Sequence, residues 1–138
     1  MERRQFFQAA ALSATTLAGC GGPAEAVDGA PAAPAPLVGT AVYRIENGRL
    51  DATWTVNTAT YAGRTGTEVA LRRGPGPLAG DYDVEIFDFS GASIFKGLLR
   101  ITQVGPTFQM EWTGPGHYLG QGLLAADNLL AASYWKGP

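Results

Sequence analysis

Few side chains of this sequence can do chemistry, and His117 is its one histidine. A histidine can act as a general base or bind a metal ion, but a metal site needs further ligands, and the sequence offers one cysteine and no second histidine. Ser90, Ser93 and Ser133 stand outside any Gly-x-Ser-x-Gly elbow. His117 follows Gly114-Pro115-Gly116, so we interpret it as a polar residue beside a turn. We predict no enzyme, no catalytic residue, no metal ion and no cofactor.

A group of carboxylates is the second candidate, formed by Asp81, Asp83, Glu85 and Asp88. Asp81, Asp83 and Glu85 occupy alternate positions, and apolar or aromatic residues stand between them. The glycine and the staggered oxygen ligands of an EF-hand loop are missing. The spacing therefore predicts the solvent-exposed face of a strand and no calcium site.

Aromatic residues are the third candidate, and they are Trp54, Trp112, Tyr118, Tyr134 and Trp135. Inward-facing aromatic side chains of a barrel can wall a cavity for an apolar or planar ligand. We take Trp54, Trp112, Tyr118 and Tyr134 as the possible ligand cavity. The alternative, which we favour, is that these rings fill the core of a small domain.

The N-terminus predicts export. An alanine-rich apolar stretch over residues 9–18 follows two arginines and two phenylalanines, which are Arg3, Arg4, Phe6 and Phe7. This arrangement resembles the twin-arginine signal, which sends folded proteins across the inner membrane. The alternative is the basic segment of an ordinary secretory signal. We expect residues 1–19 to be a removed signal peptide.

The residues Leu17-Ala18-Gly19-Cys20 resemble the lipobox of bacterial lipoproteins. The resemblance implies that the thiol of Cys20 receives a diacylglyceryl group, that a peptidase cuts before it, and that membrane lipid is thereby a partner. Two or three acyl chains anchor a protein durably where one is marginal. Gly21 stands where Asp holds such lipoproteins at the inner membrane, so the resemblance favours the periplasmic face of the outer membrane in a two-membrane bacterium.

Length and composition limit the number of domains and the class of partner of the chain that follows Cys20. Residues 20–36 are a Pro/Ala/Gly-rich linker, and residues 37–138 are long enough for one domain. Loss of Arg3, Arg4 and Glu2 leaves 8 basic and 11 acidic side chains, a formal net charge of −3. Nucleic acid is therefore excluded as a partner, because phosphate binding draws on clustered Lys and Arg.

Period-two alternation of apolar and polar residues predicts an all-β domain. It is clearest over residues 49–57 and 107–113. Turn signals such as Asn47-Gly48 divide the chain into eight strands, at about 40–46, 49–57, 65–72, 81–89, 93–104, 107–113, 117–125 and 129–135. Short connections predict an antiparallel meander that forms a closed or partly open up-and-down β-barrel, with a two-sheet β-sandwich as the alternative.

The spacing of glycine and aromatic residues from Gly80 to Trp135 resembles that of small lipocalin-like or avidin-like β domains. Gly97, Gly105, Trp112 and Gly120-x-Gly122 carry this resemblance, but the Gly-x-Trp opening of lipocalins is absent. The resemblance thus implies a barrel and transfers no ligand-binding residue.

Two functions follow from these observations. The first is a lipid-anchored, non-catalytic module that binds an apolar small molecule or a peptide, for which we expect an aromatic-lined cavity above about 300 Å³. The second is a structural or interaction subunit of an envelope protein complex. For that function Ile94, Leu98 and Leu119 predict an exposed apolar patch.

Overall fold

The computed structural model describes residues 35–138. The predictions for Arg3, Arg4, Phe6, Phe7 and Cys20 lie outside the described residues. Eight strands account for most of the described chain: β1 (Val38–Glu46), β2 (Arg49–Val56), β3 (Gly66–Arg72), β4 (Gly80–Phe87), β5 (Ser93–Val104), β6 (Thr107–Thr113), β7 (His117–Ala126) and β8 (Leu129–Lys136). A 3-10 turn, η1 (Ala59–Tyr61), lies between β2 and β3. None of the described residues forms a helix with the length and apolarity to cross a membrane.

The strands form a closed up-and-down barrel in chain order. Each strand pairs antiparallel with the next, and β1 also pairs with β8, where Gly39 lies opposite Tyr134 and Tyr43 opposite Leu130. Closure leaves neither edge of the sheet unpaired. The predicted eight-strand meander is therefore confirmed as a closed barrel, and the β-sandwich alternative is wrong.

Buried and exposed residues alternate along the strands, and the buried residues form the core inside the barrel. On β2, Leu50, Ala52 and Trp54 are buried, and on β6 Phe108, Met110 and Trp112 are buried, as the period of two predicts. Tyr43, Leu99 and Leu130 are completely buried. Burial of each such side chain stabilises the fold by about 1.5–3 kcal/mol, so these inner faces hold the barrel together.

Strand β3 has the reverse polarity, because a charged residue faces inward. Glu68 is only 4% exposed and Ala70 is completely buried, whereas Leu71 is 49% exposed. The register fixes this orientation, because Glu68 lies between the inward residues Ala52 of β2 and Ile86 of β4. A carboxylate thus enters a lumen that is otherwise apolar.

The end of the barrel near the β3–β4 loop is filled. The guanidinium of Arg72 donates hydrogen bonds of 2.7–3.0 Å to loop carbonyls, which belong to Gly74, Pro75, Pro77 and Ala79. Leu78 of the same loop packs against the core, and its carbonyl accepts a 2.7 Å hydrogen bond from Tyr82 Oη. This loop is therefore fixed to the core, and the accessible end of the barrel is the opposite one.

Candidate functional site

A cavity of about 200 Å³ lies at the end of the barrel opposite Arg72. It is formed where β2, β4 and β8 end and where β5 and β7 begin. Its wall is almost entirely apolar and aromatic, and comprises Leu37, Trp54, Val56, Tyr61, Glu68, Ile86, Ile94, Phe95, Trp112, Tyr118 and Tyr134. Ile94 at its rim is 50% exposed, so the cavity opens to solvent.

All four aromatic residues proposed for a cavity lie in this wall: Trp54, Trp112, Tyr118 and Tyr134. Trp54 and Trp112 also belong to the buried core, so the two interpretations of these rings describe one set of contacts. Trp135, in contrast, is 39% exposed on the outer surface. It was not part of the predicted cavity set, and its outward position follows because adjacent strand residues face opposite sides of a sheet and Tyr134 takes the inner position.

Glycines let the aromatic rings lie flat against the inner surface of the barrel. Gly66 is the cross-strand partner of Trp54, and Gly39 is that of Tyr134. A Cβ added at either glycine would overlap the partner's ring. Each ring therefore covers its neighbouring strand closely and leaves the space in front of it empty.

Aromatic contacts connect the wall around the cavity. The ring centroids of Trp54 and Tyr61 lie 4.8 Å apart, those of Trp112 and Tyr134 6.0 Å apart, and those of Tyr118 and Tyr134 6.5 Å apart. Phe95 continues the series with its edge-to-face contact to Tyr118 at 6.2 Å. Such tilted and edge-to-face pairs stabilise one another beyond simple burial, so the wall is preformed.

Glu68 is the charged group of the cavity wall. Its Oε1 accepts a 2.9 Å hydrogen bond from Tyr43 Oη, and its Oε2 accepts a 3.1 Å hydrogen bond from Trp112 Nε1. Tyr43 belongs to the filled core and not to the cavity wall. The carboxyl group therefore lies at the boundary between the packed interior and the empty space.

Burial dominates the ionisation of this group. Desolvation raises the pKa of Glu68 from 4.5 to about 7, while the hydrogen bonds from Trp112 and Tyr43 oppose the rise because they stabilise the ionised form. Desolvation, followed by the charge of Glu68, also raises the pKa of the Tyr43 hydroxyl. Glu68 thus changes protonation state near neutral pH.

Two other polar atoms of the wall are occupied by the protein itself. Trp54 Nε1 donates to the carbonyl of Thr67 at 3.0 Å, and Tyr134 Oη donates to the carbonyl of Thr55 at 3.0 Å. These bonds orient the rings. The hydroxyl groups of Tyr61 and Tyr118 also belong to the wall, and Glu68 is its one carboxyl group.

His117 lies at the rim, away from Glu68. Its Nε2 is 2.8 Å from Glu111 Oε2 and its Nδ1 is 3.4 Å from the carbonyl of Pro138. These two hydrogen bonds, the one to Glu111 first, raise the pKa of the imidazole. No cluster of three His, Cys, Asp or Glu side chains that could hold a metal ion occurs within residues 35–138.

The remaining carboxylates lie on the outside of the barrel, as their spacing predicts. Asp81 pairs with Arg100 at 2.9 Å and Asp83 with Arg73 at 2.8 Å. Glu85 accepts a hydrogen bond from Ser93. Asp88 Oδ1 accepts hydrogen bonds from Ser90 and from the amide of Ala92, and so closes a turn.

Comparisons with known proteins return nothing: no family model matches the chain, and no curated protein or solved structure is detectably similar to it. The site must therefore be interpreted from its own geometry. The sequence analysis did not select three residues of this candidate site, which are Glu68, Tyr43 and Tyr61. Glu68 shares a strand face with Gly66 and Ala70, but the larger apolar residues Val69 and Leu71 lie on the other face, so the sequence of this strand does not mark Glu68 as inward.

Proposed function

We propose that this chain is an envelope lipoprotein whose barrel binds a small, mainly apolar, ring-containing molecule, without catalysis, while lipid on Cys20 holds it at the membrane. The observation that carries the binding function is the open, aromatic-walled cavity at one end of an otherwise filled barrel. Apolar pockets with few, specifically placed polar groups are the usual form of small-molecule sites.

The size of the cavity limits the ligand. At about 200 Å³ it is smaller than the 300 Å³ that we expected from the sequence and that a drug-sized ligand requires. A dry cavity of about 150 Å³ is known to hold benzene. The cavity therefore suits a single substituted ring, and it is too small for a long acyl chain or a peptide segment.

Two tryptophan variants test this function. Val56 lies in the cavity wall, and Val→Trp at this position would place an indole in the empty space. Val42 is 46% exposed on the outside of the barrel, so V42W is the matched control. We expect the full chain and V42W to bind ethylbenzene, and V56W to lose that binding. Equal binding by V56W and V42W would contradict the proposed site.

The attachment is tested separately, because the export and lipid residues lie outside the described part of the chain. We expect C20S to leave the membrane fraction when it is expressed in its own bacterium. Mass spectrometry of the protein purified from those membranes should show the mass of the acyl groups, together with any retained small molecule. A C20S protein that remains equally membrane-bound would contradict the lipid anchor.

A subunit role is the second candidate, because two apolar rows lie on the outside of the barrel across β1, β8 and β7. Val38, Trp135 and Leu119 form one row of cross-strand neighbours; Val42, Ala131 and Leu123 form the other. Trp135 and Leu123 are 39% and 55% exposed. If this role holds, the full chain should associate in solution and L123K should abolish the association.

A further inference from the structure

Several carboxylates on the outside of the barrel are paired with a cation, whereas the carboxyl group inside it is not. Among the described residues, Asp51, Asp81, Asp83 and Glu85 form ion pairs with Arg or Lys. Glu68 takes part in none of them. Exposed pairs contribute little to stability, but a buried carboxylate without a cation is strongly unfavourable. Glu68 therefore lacks the positive partner that a buried carboxylate requires.

No described side chain that faces Glu68 can supply that charge. Tyr43 of β1 and Trp112 of β6 donate to it as neutral groups. Ala52 of β2 and Ile86 of β4 lie beside it in the register, and Tyr134 of β8 is the further titratable group whose ionisation it affects. None of these residues is a cation.

The carboxyl group keeps capacity for another partner on its cavity side. Each carboxylate oxygen has about two acceptor sites, and the protein occupies one site on Oε1 and one on Oε2. Glu68 is part of the cavity wall. A donor held in the cavity can therefore reach the carboxylate without displacing Tyr43 or Trp112.

The rest of the wall also favours a positive charge. The faces of Trp and Tyr rings carry negative potential and attract ammonium groups within about 6 Å. Trp54, Trp112, Tyr61, Tyr118 and Tyr134 surround the cavity. A neutral apolar ring would contact the aromatic wall alone, whereas a cationic ligand would also neutralise the charge of Glu68.

We infer that the ligand of this barrel is a small protonated amine, with its ammonium group against Glu68 and its apolar body between the aromatic rings. This inference rests on the proposed binding function and specifies its ligand class. It also explains why a carboxylate occupies the inner face of β3, where an apolar residue would pack without cost of desolvation.

Binding of such a ligand is coupled to a proton. An ammonium group favours the ionised form of Glu68, and burial holds the pKa of the empty site at about 7. Below that pH the ligand must displace the proton, so its affinity falls with the ionised fraction of the site. Between pH 8 and pH 6 this amounts to about a tenfold loss.

Benzylammonium and ethylbenzene are suitable probes, because they have the same shape and differ in charge. Calorimetry or tryptophan fluorescence on the full chain gives both affinities. We expect benzylammonium to bind more tightly than ethylbenzene at pH 8, and E68Q to weaken benzylammonium at least about tenfold, the usual effect of one charge-assisted hydrogen bond. E68Q should still bind ethylbenzene, because the aromatic wall remains, and that binding also shows that the variant is folded.

A second measurement needs no variant. Benzylammonium affinity of the unmodified chain should fall about tenfold from pH 8 to pH 6, while that of ethylbenzene should not fall. Two results would overturn the amine inference and leave the proposed binding function standing. In the first, ethylbenzene binds as tightly as benzylammonium; in the second, ethylbenzene binds and E68Q does not weaken benzylammonium. Failure of both probes to bind would overturn both.

Discussion

The indole N–H of Trp112 donates a hydrogen bond to Oε2 of Glu68 across 3.1 Å, although 44 positions separate the two residues in the chain. Their strands, β6 and β3, are not neighbours, so this bond crosses the lumen of the barrel. An indole nitrogen can only donate. Oε2 therefore accepts in either protonation state of Glu68, and the bond fixes the carboxyl group at the edge of the cavity.

The first prediction concerns E68Q and the pH dependence of stability. The unfolded chain ionises Glu68 near pH 4.5, whereas the folded barrel keeps its proton up to about pH 7. Between these values the unfolded state releases a proton that the native state retains, so stability falls as pH rises from 4.5 to 7. The loss is about 3 kcal/mol and stays constant above pH 7.

Glutamine keeps the shape and removes this loss. We expect E68Q to match the unmodified protein near pH 4.5 and to exceed its free energy of unfolding at pH 8, as urea titrations across this range would show. His117 has a raised pKa and also loses stability as pH rises, but it is present in both proteins and cancels in the difference. A variant that is less stable at pH 8 would show that the ionised carboxylate stabilises the barrel.

The second prediction concerns Tyr43 and the ionisation of Glu68. Y43F removes the hydroxyl group that donates to Oε1 of Glu68. Tyr43 is completely buried, so water cannot replace this donor. We expect a loss of about 1–3 kcal/mol at pH 8 and a further rise in the Glu68 pKa. The pH dependence of benzylammonium binding should shift to higher pH in consequence.

Y82F is the control for Y43F. Tyr82 also donates a buried hydrogen bond, but to the carbonyl of Leu78 at the filled end of the barrel. It should lower stability and leave the pH dependence of binding in place. A similar shift in both variants would mean that Tyr43 does not act through Glu68.

The sequence predicts the strands well because the turns are encoded locally. Asn47-Gly48, for example, supplies the positive φ of +73° at Gly48 that its hairpin requires, and the strand bounds differ from those predicted by two residues or fewer. Closure through the β1–β8 pairing depends on residues about 90 positions apart, so local signals favour it without establishing it.

The site is less predictable because β3 contradicts simple polarity. Val69 and Leu71 alternate with Glu68 and Arg72, so hydrophobicity alone would place the apolar pair inside. The register with β2 and β4, together with the loop contacts of Arg72, fixes the opposite orientation. The key residue of the cavity is therefore hidden from a strand-by-strand analysis.

The third prediction tests the role of glycine in the cavity wall. In G39A the new methyl group would overlap the ring of Tyr134 and displace it from its bond to the carbonyl of Thr55. We expect a loss of about 1–3 kcal/mol in stability and weaker binding of both ring probes, because the displaced ring enters the cavity. T40A changes the outer face of the same strand and should leave binding unchanged. Equal binding by G39A and T40A would contradict this account of the wall.

The fourth prediction separates the two ends of the barrel. R72M removes the hydrogen bonds that hold the 73–79 loop. A hydrogen bond from a charged group contributes about 1.5–3 kcal/mol. All of these bonds come from one guanidinium group and are not additive, so we expect a total loss of about 2–4 kcal/mol in the free energy of unfolding. R73M is the matched control, since Arg73 forms an exposed pair with Asp83 and its removal should lower stability much less. Benzylammonium affinity at pH 8 should be the same in both variants and in the unmodified chain, because the cavity opens at the other end. A weaker affinity in R72M alone would show that the filled end and the cavity form one cooperative unit.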